Sequence, residues 1–398
     1  MIHNKTPVTA EGWPSALNGA VEFLQRHEGF LLAGYPDADA LGSMLSLALY
    51  LKALGKRPYI VWPGPLIGKT GFLEDILQHN RVPLVAGLHK VAGFTGRVDA
   101  LIFCDTANRK LVPFYTEIHR TFLEGNAKPV LELDHHFGTD SEPIHEHGLH
   151  LFRPSNATAE IAAEVLEACF RHNSGGPDPF AQRNIVISLL TGLIADTGGG
   201  RAPMQRGDYE YWVQRLGGRL TANTHEKEDD PESPHFSNPD EIRGFLAQLS
   251  DVEKAGVARL QEKIVRAGDV AWLDLLTDNR RELVESLELN PTAWAQILET
   301  MANAVPEVAG RIGLLFYRDE SAEGGECFYI KMRRAQEEQC DLREAEGAIH
   351  RAFGADRVLG GGGHPGAVSF RIRLMDEAQF LEGIERLAQN IDGINDRK

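Results

Sequence analysis

The sequence predicts an α/β protein of two domains joined by a helical connector. Short apolar runs alternate with helical patterns over the first half of the 398 residues, as they do in a mainly parallel sheet. A long helical pattern over residues 241–267 predicts the connector. The last third again alternates strands and helices, which predicts a smaller domain with a mixed sheet. At roughly 150 residues per domain, the length agrees with this division.

Each element is predicted from apolar periodicity. In the first domain the predicted strands are 30–34, 58–62, 100–104 and 130–133, and the predicted helices are 14–27, 41–54, 71–79, 157–171 and 180–195. In the last part the predicted strands are 270–275, 312–317, 327–333 and 367–373, and the predicted helices are 292–304, 342–352 and 378–390. We therefore predict a first domain over 1–206, a connecting region over 207–266 and a second domain over 267–398.

An acidic segment precedes the connector helix. Residues 222–241 read ANTHEKEDDPESPHFSNPDE, with seven acidic residues, one lysine and three prolines. Such a composition cannot bury a core, so we expect an exposed loop, and a solvated insertion is its simplest explanation.

The composition argues against several classes of protein. A net charge of -16 argues against a protein that grips long nucleic acid through many phosphates, although a short phosphorylated ligand remains possible. No apolar run approaches the roughly 20 residues of a membrane span, and the first 14 residues show no signal-peptide pattern. The four cysteines form no CxxC pair, which is typical of a reducing compartment. We expect a cytoplasmic protein that does not bind membranes.

Acidic and histidine residues follow the predicted strands. A D-x-D pair comes after the first strand, an aspartate after the third and an Asp-His-His triplet after the fourth, while another aspartate ends an apolar helix. These residues are Asp37, Asp39, Asp105, Asp134, His135, His136 and Asp196. In an open α/β sheet the ligand crevice lies beyond the carboxyl ends of the strands, so we expect these side chains to converge there.

Such a group of side chains suits two-metal hydrolysis of a phosphoester. Two divalent ions can activate a water and neutralise charge on the leaving oxygen. Carboxylates with few imidazoles favour Mn²⁺ or Mg²⁺. Taken singly, each cluster has a structural explanation: Asp105 could cap a helix, the histidines could lie in the core, and the Asp196 segment could be a turn. Four clusters at corresponding places favour a metal site.

In this order the motifs resemble those of the DHH phosphoesterase superfamily. The segment Asp37-Ala-Asp39-Ala-Leu-Gly-Ser resembles its first motif, Cys104-Asp105 its second, Asp134-His135-His136 its namesake triplet and Asp196-Thr-Gly-Gly its fourth. The later run of residues 360–367, GGGGHPGA, is similar to the signature of the DHH-associated C-terminal domain. The nearest subfamily includes oligoribonucleases acting on very short RNAs, phosphatases of 3′-phosphoadenosine 5′-phosphate and cyclic-dinucleotide phosphodiesterases.

The resemblance implies a role for each matching residue. The implied metal ligands are Asp37, Asp39, Asp105, His135 and Asp196, with Asp105 as the bridge between two ions. Asp134 would orient a ligand, and His136 would face the phosphate or the leaving group. The implied substrate-binding residues are Arg333, Gly361, Gly362, Gly363 and His364. Arginine suits this role because it can hold a phosphate through two hydrogen bonds.

One position departs from the subfamily pattern. Four residues before the first aspartate of the D-x-D pair the subfamily usually has a histidine, and here that residue is Ala33. Tyr35 is too poor a ligand to replace it. We therefore expect two ions, with one site weakened by the missing imidazole.

The sequence thus predicts a metal-dependent hydrolase of short oligonucleotides, linear or cyclic dinucleotides or nucleoside bisphosphates. Three alternatives stay open: a pyrophosphatase or polyphosphatase, a RecJ-like exonuclease, and a weakly active nucleotide-binding protein, for which Ala33 is the only argument. The sequence also leaves the oligomeric state open, with a homodimer as one possibility.

Overall fold

The computed structural model describes residues 4–64, 69–125, 127–138, 141–173, 175–201, 203–222, 236–320 and 325–391. The chain divides into two compact units, Met1–His136 with Ser141–Leu246, and Phe137–Asp140 with Ala247–Lys398. Each unit contains one six-stranded sheet covered by helices, so the predicted α/β class is confirmed. Among the described residues no helix is long and apolar enough to cross a membrane.

The sheet of the first unit is entirely parallel. Its strands are β1 (Gly29–Gly34), β2 (Arg57–Val61), β3 (Leu84–Val85), β4 (Ala100–Cys104), β5 (Val130–Asp134) and β6 (Leu149–Phe152), in the order β3-β2-β1-β4-β5-β6. Strands β1, β4 and β5 are buried along their whole length, which is typical of parallel strands covered on both faces. The strand order reverses between β1 and β4, and ligands bind beyond the carboxyl ends of the strands at such a point.

Helices cover both faces of this sheet. They are α1 (Trp13–Arg26), α2 (Ala38–Ala53), α3 (Phe72–His79), α4 (Leu88–Val91), α5 (Tyr115–Ile118), α6 (Thr158–His172), α7 (Arg183–Asp196), α8 (Arg206–Ala222) and α9 (Pro239–Ala247). Alternate side chains of β1 enter different apolar clusters, because successive residues of a strand point to opposite faces. Phe30 and Leu32 pack with the larger cluster, and Leu31 and Ala33 pack with the smaller one.

Two glycines let α2 and α7 approach each other closely. A Cβ atom on Gly42 would lie 2.4 Å from the Ser188 carbonyl oxygen, and one on Gly192 would lie 2.8 Å from Asp39 Oδ1. Neither distance is compatible with a larger residue. The close helix pair brings the beginning of α2, with Asp39, next to the end of α7, with Asp196.

The sheet of the second unit is mixed. Its strands are β7 (Val265–Ala267), β8 (Val270–Leu275), β9 (Ile312–Glu320), β10 (Glu326–Arg334), β11 (Val358–His364) and β12 (Ala367–Arg373), in the order β11-β12-β10-β9-β8-β7. Only β8 and β9 pair in parallel among these strands. The helices are α10 (Asp251–Gln261), α11 (Thr277–Ser286), α12 (Pro291–Ala309), α13 (Glu346–Phe353) and α14 (Glu377–Ile391).

The connecting region differs from its prediction. The single helix expected over 241–267 is instead α9, α10 and strand β7. The break has a local cause, because Ser250 caps α10: its Oγ accepts from the Glu253 N–H at 3.3 Å and its own N–H donates to Glu253 Oε2 at 2.7 Å. The preceding helix α8 was not predicted. Of the predicted acidic loop 222–241, residues 223–235 lie outside the described residues.

Candidate metal centre

The D-x-D pair lies at the beginning of α2. Asp37 is the N-cap of this helix, and its Oδ1 accepts from the Ala40 N–H at 2.9 Å. Asp39 lies in the first turn and is buried. Its two carboxylate oxygens accept the N–H groups of Thr158 at 2.6 Å and Ala159 at 2.9 Å, at the beginning of α6. Two helix N-termini therefore hold the two carboxylates, as expected for negative charge at these helix ends.

Asp105 follows β4 in an unusual backbone conformation. Its φ is +53°, a left-handed value that aspartate and asparagine tolerate better than most residues. The side chain is buried, and its Oδ1 accepts the hydroxyl of Thr158 at 2.9 Å. Thr158 thus contacts both Asp39 and Asp105. The sequence reasoning missed it, although a threonine at the start of a predicted helix is a recognisable signal.

His135 lies at the centre of the acidic group. Its Nδ1 is 3.1 Å from the carbonyl oxygen of Ser155, which assigns the Nδ1 hydrogen to that bond. Its Nε2 then faces three carboxylates, at 3.3 Å from Asp105, 3.7 Å from Asp196 and 4.0 Å from Asp39. A histidine oriented by a carbonyl through one nitrogen presents the other as a metal ligand.

Within the part of the chain that the structure describes, two groups of side chains could hold an ion. One contains Asp105, His135 and His136, and the other contains Asp39, His135 and Asp196, with the potential ligand atoms of each group within 4.8 Å of one another. The two groups share His135. Asp37 belongs to neither group, although it lies close enough to Asp105 and Asp39 to feel their charges.

The electrostatics of the site favour a cation. Burial, together with the neighbouring charges of Asp105 and Asp39, raises the pKa of Asp37 well above its usual value. Burial and the charges of Asp105 and Asp196 do the same to the pKa of Asp39. Carboxylates that repel one another in a buried site are stabilised in ionised form by a divalent ion, so this donor set fits the predicted metal.

Histidines partly offset the acidic charge. Burial acts to raise the pKa of Asp105, but the hydrogen bond from His135 and the charges of His136 and His135 lower it. Burial acts to lower the pKa of His135, and the same hydrogen bond with the charges of Asp196 and Asp105 raises it well above the usual value. A proton on His135 therefore supplies part of the positive charge that this site favours, and a bound metal ion would replace that proton.

Asp134 and His136 form a pair beside this group. Asp134 ends β5 and is buried, and its Oδ1 lies 2.9 Å from Nδ1 of His136. His136 is the more accessible histidine, with its side chain 28% exposed against 1% for His135. The other oxygen of Asp134 pairs with the ammonium of Lys5. Burial acts to raise the pKa of Asp134, but the charges of Lys5 and His136 lower it.

The position of the missing imidazole is apolar. Ala33 lies on β1, is 1% exposed and pairs in register with Phe103 of β4. It belongs to the smaller apolar cluster of the first unit. Tyr35, two residues later, is 44% exposed. The structure therefore places a packed methyl group where the subfamily pattern has a ligand.

The residues predicted to bind substrate lie in the second unit. Arg333 is on β10 and forms an ion pair with Glu299 of α12, in which its Nη2 lies 3.2 Å from Glu299 Oε1. Gly361, Gly362 and Gly363 lie within strand β11, and His364 ends that strand. The side chain of His364 lies outside the described part of the structure.

The glycines of β11 have a packing reason of their own. A Cβ atom on Gly361 would lie 2.3 Å from the Phe370 ring of β12. Gly363 has φ +143°, and a Cβ atom there would lie 2.3 Å from the Ala367 carbonyl oxygen. Larger residues at these two positions would separate β11 from β12.

Comparison with known proteins identifies the class. Residues 30–193 match the model of the DHH family, N-terminal domain. Residues 30–193 therefore carry this domain, and the predicted resemblance to DHH phosphoesterases is confirmed for this part of the chain. The predicted class, an enzyme that hydrolyses phosphoester bonds, is confirmed with it. No curated protein sequence matches the chain.

Solved structures agree on the fold. An exopolyphosphatase-related protein from Bacteroides fragilis matches with a TM-score of 0.66 at 14% identity, covering 98% of this chain and 100% of that one. RecJ from Thermus thermophilus, in complex with Mn²⁺, matches with a TM-score of 0.50 at 17% identity, covering 96% of this chain and 55% of that one. The DHH domain of a member of a ribosomal protein family matches with a TM-score of 0.53 at 12% identity, covering 99% and 94%. At these identities the likeness concerns the fold.

Proposed function

We propose that this protein hydrolyses short nucleotide substrates with the help of divalent metal ions. The substrates would be very short oligonucleotides, linear or cyclic dinucleotides, or nucleoside bisphosphates. The observation that carries the proposal is the pair of ligand groups that share His135 inside a DHH domain. Together those groups offer three carboxylates, those of Asp39, Asp105 and Asp196, so they suit ions that supply an activated water and neutralise phosphate charge.

The ions we propose are Mn²⁺ or Mg²⁺. Carboxylate oxygens suit both ions, and the imidazole of His135 favours Mn²⁺ somewhat more. The residues that would hold them are Asp37, Asp39, Asp105, His135 and Asp196. The thermophilic RecJ structure was obtained in complex with Mn²⁺, which supports the same choice here.

His136 is the side chain we propose to face the reacting phosphate. Its Nδ1 forms a 2.9 Å hydrogen bond with Asp134 Oδ1, and 28% of its side chain is exposed. A histidine oriented in this way can present Nε2 to a phosphate oxygen and donate a proton to the leaving group. Asp134 would keep the ring in that orientation.

The second unit would select the nucleotide. Lys331 and Arg333 lie on the same face of β10, because they are two residues apart. With His364 and the glycines of β11 they would contact phosphate and sugar groups of the substrate. The net charge of -16 favours a small substrate over long nucleic acid. We propose no membrane partner, and a homodimer remains an open proposal.

One experiment tests this proposal directly. The purified protein is incubated with Mn²⁺ and a panel of dinucleotides, cyclic dinucleotides, 3′-phosphoadenosine 5′-phosphate, a long single-stranded RNA, pyrophosphate and polyphosphate, and the products are resolved by chromatography. We expect cleavage of at least one short nucleotide and none without metal. Selective cleavage of pyrophosphate or polyphosphate would support the alternative suggested by the exopolyphosphatase-related neighbour. Binding of nucleotides without measurable turnover would support the third alternative, a weakly active nucleotide-binding protein.

A further inference from the structure

We propose that Lys5 is a positioning residue for the reaction. It lies outside the matched DHH domain, in the segment that precedes α1. Its ammonium group pairs with the carboxylate of Asp134 that orients His136. The inference rests on the proposed function, since it assigns a residue to the same site.

The Lys5 side chain is held in one place. Its ammonium donates to the carbonyl oxygen of Thr106 at 2.5 Å and to Asp134 Oδ2, and it lies 5.1 Å from the centroid of the Phe152 ring. The backbone is also anchored, because the Lys5 N–H donates to the Ser141 carbonyl oxygen at 2.9 Å. The side chains of Lys5 and Asp134 are 1% and 2% exposed.

Asp134 uses its two oxygens for different partners. Oδ2 accepts a hydrogen bond from the ammonium of Lys5, and Oδ1 accepts one from Nδ1 of His136 at 2.9 Å. With one oxygen held by a fixed cation, the carboxylate cannot rotate freely, so its other oxygen has a defined direction. The orientation of the His136 ring therefore depends on Lys5 through Asp134.

The charge balance requires a cation at this position. Asp134 lies buried near Asp105, and two like charges there would repel each other. Removing one partner of a buried ion pair leaves an uncompensated charge, which destabilises the native position of the remaining side chain. Loss of Lys5 is therefore expected to displace Asp134 and with it His136, while Asp39 and Asp105 keep their contacts to α6.

The chain offers a matched control in Lys56. Its ammonium donates to the carbonyl oxygens of His27 at 2.5 Å and Gln25 at 2.9 Å, and it lies 5.9 Å from the centroid of the Phe30 ring. Lys56 also pairs with a carboxylate, that of Glu28, and its side chain is 9% exposed. It makes the same kinds of contact as Lys5 but touches none of the candidate site residues.

The test compares Lys5→Gln with Lys56→Gln on whichever substrate the natural protein hydrolyses. Glutamine can still donate to the Thr106 carbonyl but carries no charge. We expect kcat to fall by about tenfold to a hundredfold for Lys5→Gln, the usual loss for a residue that orients a site residue, with KM changed by less than about threefold. Lys56→Gln should keep kcat within about threefold. Equal effects of the two variants would overturn the proposal.

Two further measurements separate positioning from a purely structural role. In an Asp134→Asn background, Lys5→Gln should cause little further loss, because both changes break the same chain of contacts; losses that multiply would contradict the proposal. In the Lys5→Ala variant, ethylammonium should restore part of kcat, whereas the bulkier tetramethylammonium should not. No difference between the two cations would also count against it.

A structural readout covers the case in which the natural protein hydrolyses none of the panel. That result would refute the proposed function, but not the role of Lys5 in orienting His136. A crystal structure of Lys5→Gln should then show the His136 ring turned away from Asp134. An unchanged Nδ1–Oδ1 hydrogen bond near 2.9 Å would overturn the inference.

Discussion

The two sheets of this protein place polar side chains in different ways. In the first unit β1, β4 and β5 run in the same direction, so the residues that follow them meet at one edge. In the second unit β10 pairs antiparallel with β9 and β12, and its polar residues Lys331 and Arg333 are spread along a strand. The parallel sheet thus brings residues from the ends of several strands into one site, whereas Lys331 and Arg333 lie along a single strand of the mixed sheet.

The electrostatic environments of the acidic residues in the two units also differ. The pKa values of Asp37 and Asp39 are raised by burial and by neighbouring carboxylates. In the second unit burial acts to raise the pKa of Glu299, but the charges of Arg333 and Lys331 lower it. The first site therefore favours an added cation, while the second provides positive charge from its own side chains. Changes in the first unit should affect metal and turnover, and changes in the second should affect substrate binding.

The largest effect is expected at Asp105. Asp105→Asn removes the proposed bridging charge but keeps a residue that tolerates φ +53° and can still accept from Thr158. We expect turnover with Mn²⁺ to fall by on the order of a hundredfold or more.

The control for Asp105 lies at the other end of the same strand. Asp99 precedes β4 and accepts the N–H of Gly29 at 3.0 Å, so Asp99→Asn should keep nearly full turnover. Circular dichroism checks that both variants fold. If Asp105→Asn retained more than about a tenth of the natural rate, Asp105 would not be the bridge and the two-ion assignment would have to be abandoned.

A smaller effect is expected at His364 in the second unit. His364→Ala should raise KM by about tenfold to a hundredfold, because a hydrogen bond to a charged phosphate contributes roughly 1.5–3 kcal/mol. Metal affinity, measured by titration calorimetry, should stay within about threefold. His350→Ala on α13 is the control and should change neither. A clear loss of metal affinity in His364→Ala would show that the two units do not divide binding and metal chemistry as proposed.

The third prediction concerns pH and thermal stability. The raised pKa of His135 means that, without metal, its stabilising charge is complete below about pH 6.5 and is lost as the pH rises through the folded-state pKa. Metal binding needs the neutral ring and ionised carboxylates, so it releases protons. The increase in Tm caused by Mn²⁺ should therefore be larger at pH 8.5 than at pH 6.

Thermal melts at several pH values with and without Mn²⁺ measure this difference. His135→Gln should reduce the pH dependence of the Mn²⁺ effect, because it removes one of the protons that the metal would displace, while those on Asp37 and Asp39 remain. A Tm increase that shrinks toward alkaline pH would contradict a metal centre built around His135.

The smallest effect is expected at Ala33. Ala33→His would add an imidazole at the position where the subfamily pattern has one, and the Mn²⁺ concentration for half-maximal rate should fall several-fold. Because Ala33 is packed against apolar neighbours, the larger ring should also cost about 1–3 kcal/mol of folding free energy. Ala33→Leu is the matched packing control and should lower Tm without tightening metal binding. Two equally tight Mn²⁺ sites in the natural protein, unchanged by Ala33→His, would contradict the idea of a weakened site.

Local sequence patterns were enough to predict the α/β class, most strands and helices near the site, and the strand-end positions of Asp37, Asp105 and His135. These follow from local patterns, because apolar periodicity and short motifs are visible in neighbouring residues. The division of the connecting region into α9 and α10 was not foreseen, although the capping box at Ser250 is itself a local signal. The short strands β3 and β6 were missed because so few residues carry little periodicity.

The distant residues that support the site became visible in the folded structure. Thr158 contacts Asp39 and Asp105 because α6 begins beside the switch point between β1 and β4, and Lys5 reaches Asp134 from a segment 129 residues away. It also showed that Gly361 and Gly363 are needed for packing β11 on β12. A sequence motif reports the residue types that the chemistry needs, but the partners that hold those residues are brought close only when the chain folds, so no local pattern identifies them.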